Sequence, residues 1–157
     1  MSISLFRFPL PAVLQKQKMK IMVSACLLGE NCKYNGGNNY SKKIESYIKG
    51  PEVIRICPEL LGGLTVPRSP AELVNGKVLT NDHKNVDKEF RDGAKRALQI
   101  ALANDIDLAI LQSRSPSCGV NEIYDGTFSG KKIKGAGIFA RLLIENGIKV
   151  MDAEELG

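Results

Sequence analysis

Four cysteines, Cys26, Cys32, Cys57 and Cys118, are the residues of this 157-residue chain best able to hold a metal or act as nucleophiles. No two of them form a C-x-x-C pair, so the spacing indicates neither a dithiol redox pair nor a zinc ribbon. Cys26 follows an apolar run, as a phosphatase nucleophile would, but that chemistry wants an arginine six residues on and position 32 is cysteine. The single histidine, His83, lies in the polar run Asn81-Asp82-His83-Lys84 and reads as solvated. Its isolation argues against Cys–His or Ser–His–Asp catalysis. Four cysteines in 157 residues is also far below the density of a disulfide scaffold.

Placement is more informative than spacing. Cys26 directly follows the apolar run Ile21–Ala25, Cys57 directly follows Val53–Ile56, and Cys118 lies a few residues beyond Asp107–Leu111. Short, nearly continuous apolar runs are expected of strands buried on both faces. In an open parallel sheet the carboxyl ends of the strands share one edge, where ligands usually bind. Taken singly, a cysteine is most often a small buried hydrophobe. Three at one edge, each in a turn rich in Gly, Pro and Ser, point to a shared ligand. Three convergent thiolates suit an iron–sulfur cubane with one iron left open. A four-cysteine zinc site would need Cys32 as well, and would be closed and structural. Cys32, inside the polar loop Glu30-Asn31-Cys32-Lys33-Tyr34, is left out of the expected set.

The elements that must position these residues alternate between strand and helix. Ser41 reads as an N-cap, with Ile44 and Ile48 on one helical face and Gly50-Pro51 as the stop. Residues 58–82, with Pro58, Gly62, Gly63, Pro67 and Pro70, read as one long irregular loop. The longest helix is expected over Val86–Asn104, with Val86, Phe90, Ala94, Ala97 and Ala101 on its buried face. Tyr124-Asp125-Gly126-Thr127 reads as a type I′ hairpin turn. A last helix over Ala136–Asn146 ends at Gly147, and Ile148–Met151 forms the last strand. Such alternation predicts an α/β fold, a single three-layer Rossmann-like domain with a mainly parallel sheet and a small β-hairpin.

Composition narrows the class further. Apolar residues make up 43% and charged residues 25%, which argues against disorder, and no apolar run approaches the length of a membrane span. The net charge is +5, but Arg7, Lys16 and Lys18 in residues 1–18 supply three of those charges, so the body carries +2. The remaining lysines are interspersed with acids, and no basic stripe marks a stable nucleic-acid partner. Residues 1–18 lack the features of a secretory signal and are expected to be a flexible N-terminal extension. Residues 19–157 are expected to form one cytoplasmic domain.

Five motifs carry a family resemblance: Val23-Ser24-Ala25-Cys26-Leu27-Leu28-Gly29, Cys57-Pro58-Glu59, Gly62-Gly63-Leu64-Thr65-Val66-Pro67-Arg68, Arg114-Ser115-Pro116-Ser117-Cys118-Gly119 and Tyr124-Asp125-Gly126-Thr127-Phe128-Ser129-Gly130. In this order they resemble the signatures of the thiouracil desulfidase family, formerly a domain of unknown function, over about residues 20–152. The resemblance implies a 4Fe-4S cluster held by three cysteines, matched here by Cys26, Cys57 and Cys118. It also implies that the sulfur of a thiolated pyrimidine, free or as its nucleotide, binds the fourth iron.

Residue chemistry is compatible with that activity. An iron acting as Lewis acid polarises a thiocarbonyl without changing redox state. Glu59, two residues after Cys57, is placed to deprotonate water as general base. Ser115, three residues before Cys118, can bond the pyrimidine or relay a proton; the resemblance points to the same two positions. Arg68 is read either as a salt-bridge partner of Glu72 that orders the long loop or as a contact to a substrate phosphate or carbonyl. Gly135 and Gly137, opening the last helix, mark a place for a nucleotide phosphate. The net reaction expected is hydrolysis of a thiouracil-type compound to a uracil-type product and hydrogen sulfide. The competing expectation is a non-catalytic binding module whose metal or cluster only holds loops together.

Overall fold

The computed structural model describes residues 19–156, so the extension expected over residues 1–18 lies outside the described residues. Four strands form the central sheet: β1 (Lys20–Ser24), β2 (Glu52–Ile56), β5 (Leu108–Leu111) and β8 (Lys149–Asp152). They pair in the order β2-β1-β5-β8, every pair parallel. Side chains along a strand alternate between faces, and β1 divides the core accordingly. Met22 packs on one side with Phe90, Ala94, Ala97, Phe139 and Leu143, while Ile21 and Val23 pack on the other with Leu27, Ile44 and Ile110.

The first of these layers is supplied by two helices. Helix α3 (Asp87–Ala103) buries Phe90, Ala94, Ala97 and Ala101, the face its spacing predicts. Helix α4 (Ile138–Glu145) buries Ile138, Phe139, Ala140 and Leu143. The opposite layer is thinner. It consists of α1 (Lys42–Tyr47) and the single 3-10 turns Ala25–Leu28 and Ala153–Leu156. Ser41 caps α1 as expected, its Oγ accepting the Ile44 amide at 3.3 Å. The α/β three-layer fold with a mainly parallel sheet is therefore present. No helix among the described residues is long and apolar enough to cross a membrane.

Two stretches depart from expectation. Residues 58–82 are not a single irregular loop. Pro58 starts a short helix, α2 (Pro58–Leu61), and β3 (Ala71–Val74) pairs antiparallel with β4 (Lys77–Thr80). The turn between them is Asn75-Gly76, with φ of 49° and 82°, the positive pair that a type I′ hairpin requires. The prolines and glycines that suggested a loop thus bound short elements. The second departure concerns Asp125-Gly126. Strands β6 (Glu122–Tyr124) and β7 (Lys132–Lys134) do form a hairpin, but a longer loop joins them, closed by the Asp125 amide on Lys131 O at 2.9 Å. The acceptor that holds this loop is Glu72, whose Oε1 receives the amides of Gly126 at 3.0 Å and Phe128 at 3.1 Å.

Candidate active site

Parallel register sets the cysteines at one level. Ser24 of β1 lies opposite Ile56 of β2, so the chain leaves both strands together, into Cys26 and Cys57 respectively. Strand β5 ends alongside them, where the Gln112 amide donates to Ser24 Oγ at 3.0 Å. Cys118 follows on the loop beyond. All three thiols line one cavity of about 900 Å³ over the sheet's carboxyl edge, with Glu59, Arg68 and Ser115. The cavity also reaches the aromatic rings of Tyr124 and Phe128.

Cys32 lines the same cavity and is buried, a position its polar loop did not suggest. Its thiol is a hydrogen-bond donor toward Cys26 and Cys57, and those bonds push its own ionisation well above the usual range. The same donor lowers both neighbours. Cys57 falls to about 7, first through Cys32 and then, against burial, through the Leu60 amide and the Arg68 charge. Cys26 is lowered by Cys32 and, against burial, by Asn39, whose Nδ2 lies 3.4 Å from Sγ. Cys118 runs the other way. Burial pushes its thiol up to about 12, only partly offset by hydrogen bonds from Ser24 and Ser117.

Glu59 projects into the cavity from α2, directly after Cys57. Backbone proximity fixes that helix against α3. A Cβ on Gly62 would stand 1.9 Å from Glu89 O, and one on Gly93 1.9 Å from Pro58 O. The carboxylate is held at both ends. Arg68 donates to Oε1 from Nη2 at 2.7 Å and Nε at 3.1 Å, and Ser117 Oγ donates to Oε2 at 2.9 Å. Arg68 also bonds Cys32 O at 2.9 Å and Thr65 O at 3.1 Å. Its partner is therefore Glu59, not Glu72, which the loop 125–130 amides occupy.

Ser115 Oγ accepts the amides of Ser117 at 3.1 Å and Cys118 at 3.0 Å and lies 3.0 Å from Ser117 Oγ. Ser117, which stands between Ser115 and Glu59, escaped the sequence reading. Its one signal was adjacency to Cys118 in Ser115-Pro116-Ser117-Cys118. Gly135 and Gly137 do not line the cavity. Their amides donate to Asn121 O at 3.1 Å and Gly119 O at 2.8 Å, and the next three amides of α4 reach the carbonyls of Pro116 and Ser117. The helix start is thus docked on the Cys118 loop. A Cβ on Gly137 would stand 2.5 Å from the Ser117 carbonyl carbon. His83, in the left-handed region at φ 68°, is exposed on the turn after β4.

The donor set can be tested against a bound group. Among the described residues no three His, Cys, Asp or Glu side chains close around one point as the ligands of a single ion do. The thiols of Cys26, Cys57 and Cys118 along one cavity wall are soft donors that would suit the separate irons of a polynuclear group. Two of the three have acidities already lowered toward the thiolate form that binds metal.

Comparison with known proteins agrees in extent with this site. A family model described as 2-thiouracil desulfurase matches residues 21–155. The uncharacterized protein YbbK of Bacillus subtilis (strain 168) is 40% identical over 146 residues, spanning 87% of this chain and 97% of that protein. A solved structure of the 4Fe-4S-dependent thiouracil desulfidase TudS is 40% identical and superposes with a TM-score of 0.83, covering 88% of this chain and 93% of that one.

Proposed function

The chain belongs to the 2-thiouracil desulfurase family, and from this premise we propose that it removes sulfur from a thiolated pyrimidine of the thiouracil type, with a 4Fe-4S cluster held by Cys26, Cys57 and Cys118. The observation that carries the reading is the convergence of three thiols and one ion-paired carboxylate on a single cavity. Its volume lies at the upper end of small-molecule pockets, ~300–1,000 Å³, in keeping with a cofactor and a small base together. The 40% identical TudS acts on thiouracil with such a cluster, which supports both halves of the assignment.

When bound, the cluster supplies an iron that acts as Lewis acid on a thiocarbonyl sulfur without changing redox state. The chain's own residues then govern water and protons. Glu59 is the general base: its carboxylate, fixed by Arg68, takes up the proton that the attacking water gives up. Ser115 lines the cavity with two backbone amides on its oxygen and relays a proton of the reacting group. The reaction is hydrolytic, giving a uracil-type product and hydrogen sulfide. Residues 19–157 carry this activity on a small-molecule base or its nucleotide in the cytoplasm.

Anaerobic purification tests the assignment. A brown protein containing iron and acid-labile sulfide, losing both in Cys57→Ser, supports the cluster. Colourless protein that takes up stoichiometric zinc after reconstitution with iron and sulfide refutes it and leaves a metal-stapled binding module. Sulfide release compared across 2-thiouracil, 4-thiouracil and their monophosphates identifies the substrate. Glu59→Gln should retain the cluster and abolish release; unchanged turnover removes Glu59 from the base role.

A further inference from the structure

A serine hydroxyl has two acceptor sites and one hydrogen. On Ser115 the amides of Ser117 and Cys118 fill the acceptor side, so its hydrogen is what remains for Ser117 Oγ at 3.0 Å. Ser117 then accepts from Ser115 and turns its own hydrogen to Glu59 Oε2 at 2.9 Å. The other acceptor near it, Cys118 Sγ, is at 3.6 Å and weaker. Oε1 of the same carboxylate is engaged by Arg68. The three side chains form a hydrogen-bonded line with a single direction, from Ser115 through Ser117 to Glu59. Ser117 is 1% exposed, so bulk solvent does not replace its hydroxyl.

We propose that Ser117 is a positioning residue that couples Glu59 to Ser115, so that the base draws its proton at the Ser115 hydroxyl. The inference rests on the desulfuration reading above and deepens it. As the bond forms from water oxygen to the thiocarbonyl carbon, the water proton passes to Ser115, taking the place of one of the two amides on its oxygen. The Ser115 proton passes to Ser117 and the Ser117 proton to Oε2. Glu59 is then neutral, both serines are unchanged in charge, and the substrate is a tetrahedral thiolate adduct. The amide that stays on Ser115 stabilises its oxygen while it exchanges protons. The proton returns along the same line to sulfur. The C–S bond then breaks, and the adduct's hydroxyl proton passes to the departing hydrosulfide as the carbonyl forms. The sum is carbonyl plus hydrogen sulfide, with no electron transferred.

The test compares cluster-loaded wild type, Ser117→Ala and Ser117→Thr anaerobically on thiouracil. Ser117→Ala should keep iron, acid-labile sulfide and KM within about twofold while kcat falls by ~10²–10³, the scale of a lost proton-transfer partner. Ser117→Thr, which keeps the hydroxyl, should recover much of that loss. The wild-type rate should curve with D₂O fraction, as for several protons in flight, and the Ala variant should give a straight line. Independently of turnover, the infrared carboxylate band that disappears in Glu59→Gln should shift in Ser117→Ala. Wild-type kcat in Ser117→Ala, or an unmoved Glu59 band, overturns the relay. A cluster-loaded wild type that releases no sulfide from any thiouracil refutes the desulfuration reading alone, and the infrared band still decides the link.

Discussion

Arg68 grips a single oxygen of Glu59 with two guanidinium nitrogens, Nη2 at 2.7 Å and Nε at 3.1 Å. The two side chains are only 11% and 15% exposed, which places the pair among buried ion pairs. Removing one partner of such a pair costs ~3–5 kcal/mol because a charge is stranded. The residual solvent contact here favours the lower figure. Arg68→Ala should therefore lose about 3 kcal/mol in anaerobic urea unfolding and release sulfide far more slowly. Arg68→Lys restores the charge but cannot span Glu59, Thr65 O and Cys32 O together. It should regain part of the stability and little of the turnover.

Cys57 gives the cluster-free protein a pH signature. Its thiol ionises at about 7 in the fold, against ~8.5 for an ordinary cysteine. A depressed acid contributes stability that is complete above the unfolded value and disappears as pH falls through the folded one. Stability from this group should decline from about pH 8.5 to below pH 7. Alkylation of Cys57 by iodoacetamide, followed by mass spectrometry, should rise through a midpoint near pH 7. Cys118, pushed up to about 12, should remain unmodified over the same range.

Cys32 is the cause of much of that acidity. With its S–H donor removed in Cys32→Ala, the Cys57 alkylation midpoint should move upward toward ordinary cysteine. Because the proposed ligands are the other three cysteines, Cys32→Ala should still bind a full complement of iron and sulfide. Loss of iron in this variant would make Cys32 a ligand.

Glu72 holds the loop that carries Phe128 over the cavity, through two amides on one oxygen. Hydrogen bonds to charged groups contribute ~1.5–3 kcal/mol each. Glu72→Ala should free the loop, raise KM for thiouracil several-fold and leave cluster content unchanged. An unaltered KM would show that the 125–130 loop has no part in binding.

The sheet edge was readable because each of three cysteines follows an apolar strand, and parallel strands end together. Helix α3 was readable from Phe90, Ala94, Ala97 and Ala101, whose spacing survives any change in loop structure. The β3-β4 hairpin was hidden by the density of Pro and Gly around it, although Asn75-Gly76 marks its turn. Of the two readings of Arg68, the pairing with Glu72 follows from closeness in sequence, whereas Glu59 is nearer in space once α2 forms. Cys32 and Ser117 were invisible for a related reason. Ser117 matters through Glu59, 58 positions away, and Cys32 through Cys57, 25 positions away, as well as through Cys26.

The sheet order has a consequence for the birth of the protein. Cys57 and Cys118 are 61 residues apart in sequence, and at ~5–20 residues per second a ribosome needs about 3–12 s to make that stretch. Until β5 has been synthesised and has seated itself beside β1, the third thiol has no place at the edge. Any group held by all three can therefore be completed only after Cys118 has been made and β5 has taken its place.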